Sequence, residues 1–136
     1  MTAEVAVIGL DPGRNLGVAF LSAAGEVLFT TVLPGGGAGL EQALTNEAFA
    51  FPTAPIAVGD GTGHRDIVAV LAAHDLPHEL IDEKNSSREA RELYYRLFPP
   101  KGWLRLVPRG MLPVPNQLDA FAAVVIAQRY LATHNT

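Results

Sequence analysis

Residues Val5 to Leu21, VAVIGLDPGRNLGVAFL, constrain this chain more than any other stretch. Val5–Leu10 is a continuous apolar run, rich in β-branched residues and too short for a helix of its own. It reads as a strand buried on both faces. The run ends at Asp11-Pro12-Gly13, a turn signal, and a second apolar run follows at once, so the two form a hairpin. Asp11 therefore stands where a buried strand emerges into a turn. A carboxylate in that position is costly unless it is paired, hydrogen-bonded or bound to a metal. The structural alternative is an Asp that bonds the backbone of its own turn.

What the other acids do depends on the rest of the chain. Its 136 residues fit one domain, 1–136, and 49% of them are hydrophobic, enough for one core. There is no cysteine, which excludes a disulfide framework and a thiolate metal site. The start, MTAEVAVIGL, lacks the basic residues of a secretion signal. No apolar run approaches the length of a membrane span. These features predict a soluble, cytoplasmic protein with no membrane partner. The net charge of −4 argues mildly against non-specific nucleic-acid binding. Its distribution argues the other way. Lys84, Arg88, Arg91, Arg96, Lys101, Arg105 and Arg109 face only Glu89 and Glu92 between them, so residues 84–109 carry +5 and the remainder −9. A basic segment on an acidic body is a partner-binding asymmetry. The structural alternative is a solvated helix in which Glu89 and Glu92 pair with Arg88, Arg91 and Arg96.

The patterns predict strands at Val5–Leu10, Leu16–Ser22 and Glu26–Leu33, joined as a meander. Pro34-Gly35-Gly36-Gly37 reads as a breaker. Leu40–Phe51 has helical spacing and is closed by Pro52. A short strand, Pro55–Gly59, leads to Asp60-Gly61. A helix capped by Thr62 or Gly63 then runs to about His74. Pro77–Ile81 is a fifth strand. Ser86 and Glu89 form a capping box for a helix ending before Pro99. Lys101–Val114 reads as a loop, and Asn116–Leu131 as a largely buried helix. The order β-β-β-α-β-α-β-α-α implies an α/β fold: a mixed five-stranded sheet, three antiparallel strands followed by parallel ones, with helices on its faces.

Ligand sites in such sheets lie beyond the carboxyl ends of the parallel strands. Four acids fall at that edge: Asp11, Asp60, Glu83 (beside Asp82) and Asp119. Each has a structural alternative. Asp60 can serve a turn, Asp82 can accept backbone bonds, and Asp119 can cap a helix from Asn116. Together they form the hard oxygen donor set that Mg²⁺ takes. Such carboxylates can hold two ions roughly 4 Å apart, the arrangement that clamps the attacking and leaving oxygens of a phosphodiester.

Four segments carry a resemblance. GLDPGRNLGVAFL resembles the first-strand motif of the RuvC and YqgF nucleases of the RNase H-like superfamily. IDEKNSSREA is similar to the YqgF motif whose glutamate is a catalytic acid, a role that falls to Glu83, with Lys84 where that motif has arginine. NQLDAFAAVVIAQRYL resembles the closing helix of both groups, whose early Asp corresponds to Asp119. RuvC resolvases carry a second acid one turn earlier, where this chain has Asn116. VGDGTGHRDI is similar to the YqgF-type domain of Tex transcription factors, with Asp60 in place of asparagine and at the site of the RuvC strand-four acid. The resemblance covers nearly the whole chain.

The resemblance implies an RNase H-like nuclease domain in which Asp11, Glu83, Asp119 and Asp60 are catalytic and bind Mg²⁺ or Mn²⁺ as a two-metal site. YqgF-type proteins are associated with maturing the 5′ end of pre-16S ribosomal RNA, and RuvC proteins cut four-way DNA junctions as dimers. Arg14, Lys84, Arg88 and Arg91 would hold phosphates, which positions a backbone without reading sequence. Trp103, Tyr94 and Tyr95 offer stacking surfaces for unpaired bases, although Tyr94 falls on its helix's apolar side, where packing is the better expectation. RNA and DNA both remain open as partners, and the apolar helices leave room for a homodimer. The alternatives are a Holliday junction resolvase of RuvC type and a non-catalytic nucleic-acid module as in Tex proteins. An ATP-binding domain of the actin and sugar-kinase type would need a second lobe and a phosphate loop, and the chain has neither the length nor the G-x-x-x-x-G-K-[ST] signature. His64 opens a helix near Asp60, where it could touch a phosphate, but a surface histidine with no role is the better expectation; His74, His78 and His134 show no metal-ligand spacing.

Overall fold

A computed structural model describes residues 4–46, 51–99, 102, 106 and 118–134. The strands are β1 (Val7–Asp11), β2 (Asn15–Leu21), β3 (Val27–Pro34), β4 (Ile56–Gly59) and β5 (His78–Ile81). The helices are α1 (Gly37–Thr45), α2 (His64–Ala73), α3 (Ser86–Leu97) and α4 (Leu118–His134). The strands form one sheet in the order β3-β2-β1-β4-β5. The β1–β2 and β2–β3 pairs are antiparallel, and β1–β4 and β4–β5 are parallel. This is the expected mixed α/β architecture, and its layout is consistent with an RNase H-like fold.

Strand side chains alternate between the two faces, and here the faces differ in kind. Ile8, Leu10, Leu16, Val18, Phe20, Ile56 and Val58 point to one side, where Leu40 of α1 and Ile67 and Leu71 of α2 cover them. Val7, Ala19, Leu21 and Ala57 point to the other, against Ala123, Val124, Ile126 and Ala127 of α4. Large branched side chains thus pave the α1–α2 face and mostly small ones the α4 face. α3 lies outside the sheet layers and packs on α4 through Ala90, Ala122 and Val125.

The small residues let α4 approach the sheet backbone. A Cβ on Gly9 would run into the carbonyl oxygen of Ala123, and one on Gly17 into that of Asp119. Both glycines lie on the α4 face, so at these two points the helix rests on the sheet backbone, between the side chains of Val7, Ala19 and Leu21. Asp119, Ala123 and Ala127 follow at four-residue spacing, the stripe of a helix that faces one surface.

Several boundaries differ from expectation. α1 begins at Gly37 and not Leu40, because Gly36 turns the chain at a positive φ of 56° and the third glycine enters the helix. α1 ends at Thr45, and the rest of the expected helix up to Phe51 lies largely outside the described residues. The capping box at α3 does not form. Asn85, at φ 65°, occupies the N-cap without a side-chain cap bond, and Ser86 is the first helical residue and is buried. Glu89 instead pairs with Arg129 of α4 at 3.0 Å. Most of the loop 101–114 and Asn116 lie outside the described residues. Among the described residues, no helix is long and apolar enough to cross a membrane.

Candidate functional site

Asp11 is the last residue of β1 and, by alternation with Val7 and Gly9, faces α4. Its cross-strand partner is Gly17. Gly17 is also where the backbone of Asp119 touches the sheet. One glycine thus sets the first turn of α4 beside the end of β1, and two acids 108 positions apart in the chain meet there.

The third acid arrives from the parallel side. β4 runs alongside β1, with Leu10 opposite Val58, so the chain leaves β4 at Asp60-Gly61 next to Asp11 and Pro12. Beyond β5, Glu83 lies back over this turn, and a Cβ on Gly61 would collide with its carboxylate. Asp60 Oδ1 accepts the Glu83 backbone N–H at 3.1 Å, and the Asp60 N–H is donated to the Ile81 carbonyl at 3.0 Å. On the other side Arg129 donates to the carbonyls of Asp82 (2.6 Å) and Lys84 (2.8 Å). The Lys84 N–H closes an Asx-turn on Asp82 Oδ1 at 2.9 Å.

The electrostatics follow from this crowding. Burial, then the charge of Glu83, then that of Asp119, push the Asp11 carboxyl up to about 7. Burial also raises Asp119. The Glu83 and Asp119 charges thus act on a carboxyl already stripped of much of its water.

The expected site residues separate into three groups. Asp11, Glu83 and Asp119 are brought together. Asp60 is adjacent, but one of its oxygens is committed to the Glu83 N–H, so its observed work is to hold that loop. Of the basic residues, Arg14, Lys84 and Arg88 are exposed near the same edge, Arg14 in the turn after Asp11 and Lys84 just after Glu83. Arg91 is half-buried, and its Nε is enclosed without a hydrogen-bond partner among the described residues. Trp103 lies outside the described residues. Tyr95 is buried, and Tyr94 packs its ring against Tyr95, Phe98 and Phe121 at 5.1, 5.2 and 5.5 Å, so neither offers a free stacking face.

The histidines have other engagements. His74 pairs with Glu41 at 2.8 Å and His134 with Glu79 at 2.7 Å, while His78 Nδ1 faces the Leu76 carbonyl at 3.1 Å. These three border a hollow of about 790 Å³ at the opposite edge of the sheet. His64 is the exception. Its Nδ1 lies 2.8 Å from the carbonyl of Gly61, the glycine beneath Glu83.

Three contributors escaped sequence reasoning: Gly17, Gly61 and Arg129. The glycines had a signal, since small residues at alternate strand positions (Gly9; Gly17, Ala19) mark a face approached by backbone. Arg129 had none, because its partners are carbonyls, which every residue carries.

Among the described residues, no group of three or more His, Asp or Glu side chains converges closely enough to hold a metal ion as placed. The donor chemistry nevertheless suits a hard cation: two carboxylates, Glu83 and Asp119, lie close enough to a half-buried Asp11 to oppose its ionisation, a repulsion that a divalent ion relieves. No protein-family model matches the chain, and a search of curated proteins finds no match.

Proposed function

We propose that this chain is a divalent-metal-dependent nuclease that hydrolyses phosphodiester bonds, most simply an RNA-processing enzyme of YqgF type acting at the 5′ end of pre-16S ribosomal RNA. The observation that supports the reading is the meeting of Asp11, Glu83 and Asp119, from three separate elements, at the carboxyl edge of the parallel strands. Carboxylates of one sign destabilise each other, and a fold that gathers them at one edge gains from it only when a cation joins them.

Asp11, Glu83 and Asp119 would hold Mg²⁺ or Mn²⁺, with the free oxygen of Asp60 within the same edge. When bound, such ions lower the pKa of water and stabilise a departing oxygen. The chain's own residues do the rest. With its carboxyl pushed up to about 7, Asp11 is in part protonated near neutral pH, so loading a cation there would release protons. Asp60 holds Glu83 in place through its backbone N–H. Arg14, Lys84 and Arg88 pair with phosphates on either side of the scissile bond and fix its orientation. The acids of the body repel a polyanion elsewhere, which concentrates binding on this edge.

Cleavage of two labelled substrates side by side tests the proposal. One is a single-stranded RNA with the sequence of a ribosomal precursor end, and the other a four-way DNA junction. Each is incubated with Mg²⁺, Mn²⁺ or EDTA, and with Asp11→Asn, Glu83→Gln and Asp119→Asn as controls. Metal-dependent cutting of the RNA, lost in all three variants, is the expected result. Preference for the junction would assign a RuvC-type resolvase. Binding without cutting in any metal would assign a non-catalytic module and return the acids to turn and cap roles.

A further inference from the structure

Glu83 sits in a short connection between β5 and α3, tied to α3 by the N–H of the buried Ser86, which is donated to its carbonyl at 2.7 Å, while Lys84 and Asn85 between them are exposed. What ties it to β4 and α4, the elements beside the other acids, is a clamp with two jaws. On the β4 side, Asp60 takes the Glu83 N–H, and Gly61 leaves the space its carboxylate fills. On the α4 side, the Arg129 guanidinium takes the carbonyls of the residues before and after Glu83, Asp82 at 2.6 Å through Nη1 and Lys84 at 2.8 Å through Nη2. The same guanidinium pairs with Glu89 in the first turn of α3 at 3.0 Å.

We infer that Arg129 is a positioning residue for Glu83, reading out the placement of α4 to the loop that carries the third acid. The inference rests on the proposed nuclease reading. A planar fork that bonds two carbonyls flanking one residue fixes both the position and the rotation of that residue, which a single contact does not. Arg129 lies on the helix that also presents Asp119. Asp119 is set by contact with Gly17 and Glu83 by Arg129, so one rigid helix holds two of the three acids at a fixed spacing.

The test is Mn²⁺ binding, measured by electron paramagnetic resonance on the wild type, Arg129→Gln, Arg129→Lys, Glu89→Gln and Asp119→Asn. Circular dichroism confirms that each is folded. Loss of a group that orients a ligand typically weakens metal affinity by about 10- to 100-fold. Arg129→Gln should fall in that range. Arg129→Lys, which keeps the charge and stem but reaches one carbonyl at a time, should lose affinity several-fold. Glu89→Gln removes the ion pair, leaves both carbonyl bonds, and should bind within about twofold of wild type. Should Arg129→Gln fail to fold, the ordering of Arg129→Lys against Glu89→Gln decides. The inference is overturned if wild type binds Mn²⁺, Asp119→Asn does not, and both Arg129 variants bind as wild type does. If wild type binds no Mn²⁺ at all, the metal-site reading itself falls, and the inference falls with it.

Discussion

Asp11 is held in a state that opposes folding. Its folded pKa, about 7, lies above the ordinary 3.8, so the folded chain binds the proton more tightly than the unfolded one. The resulting cost is absent below about pH 4, grows as pH rises towards 7, and is complete above it. Asp11→Asn removes the charge, so the variant should be more stable than wild type at pH 8 in EDTA, by about 2–4 kcal/mol at most, with the difference closing towards pH 4. Urea unfolding at the two pH values checks this, and a variant less stable than wild type at pH 8 would mean that the carboxylate is well accommodated. Saturating Mg²⁺ should restore wild type towards the variant, because an ion that binds only the folded state stabilises it. Asp11 itself was legible in the sequence, because a buried strand ending in an acid is a local pattern. Its repulsive neighbours were legible only as members of one sheet edge. The capping box at Ser86 was misread for a related reason. The local pattern was present, but Asn85 took a left-handed turn and Glu89 was drawn to a cation 40 residues away.

The decisive element is α4. Its contact with β1 and β2 is made through backbone at Gly9 and Gly17, so it tolerates no side chain there. Gly17→Ala should displace the first turn of α4, cost about 1–3 kcal/mol, and abolish cleavage because Asp119 moves with it. Gly9→Ala meets the helix at Ala123, one turn farther on, and should destabilise comparably while leaving more residual activity. Thermal unfolding together with cleavage rates separates the two, and equal activity loss in both would show that α4 shifts as a rigid rod. The helix was recognisable from its apolar run, and its burial follows from apolar residues nearly all round. Its expected start, Asn116, lies outside the described residues.

At the scale of the molecule, the strand order and the separation of charge were both legible, because hairpin succession and alternating helix and strand leave few topologies open. Lys84 and Arg88 stand at the edge that carries the acids. Reversing both, as Lys84→Glu and Arg88→Glu, should weaken single-strand binding and reduce the slope of log affinity against log salt by roughly 1.4, about 0.7 for each phosphate no longer neutralised. Fluorescence anisotropy across a salt series measures it, and an unchanged slope would move the nucleic-acid surface elsewhere on the chain.

The placement of α4 also sets an order in time. The sheet that bears Asp11 and the loop that bears Glu83 are complete by residue 83, whereas Asp119 and Arg129 are synthesised only 36 and 46 residues later. Until then Glu83 is held by the Asp60 jaw of its clamp alone, and Asp11 has one acid beside it in place of two. A nascent chain therefore carries two of the three acids, and the proposed ion site is assembled only when the last helix is made.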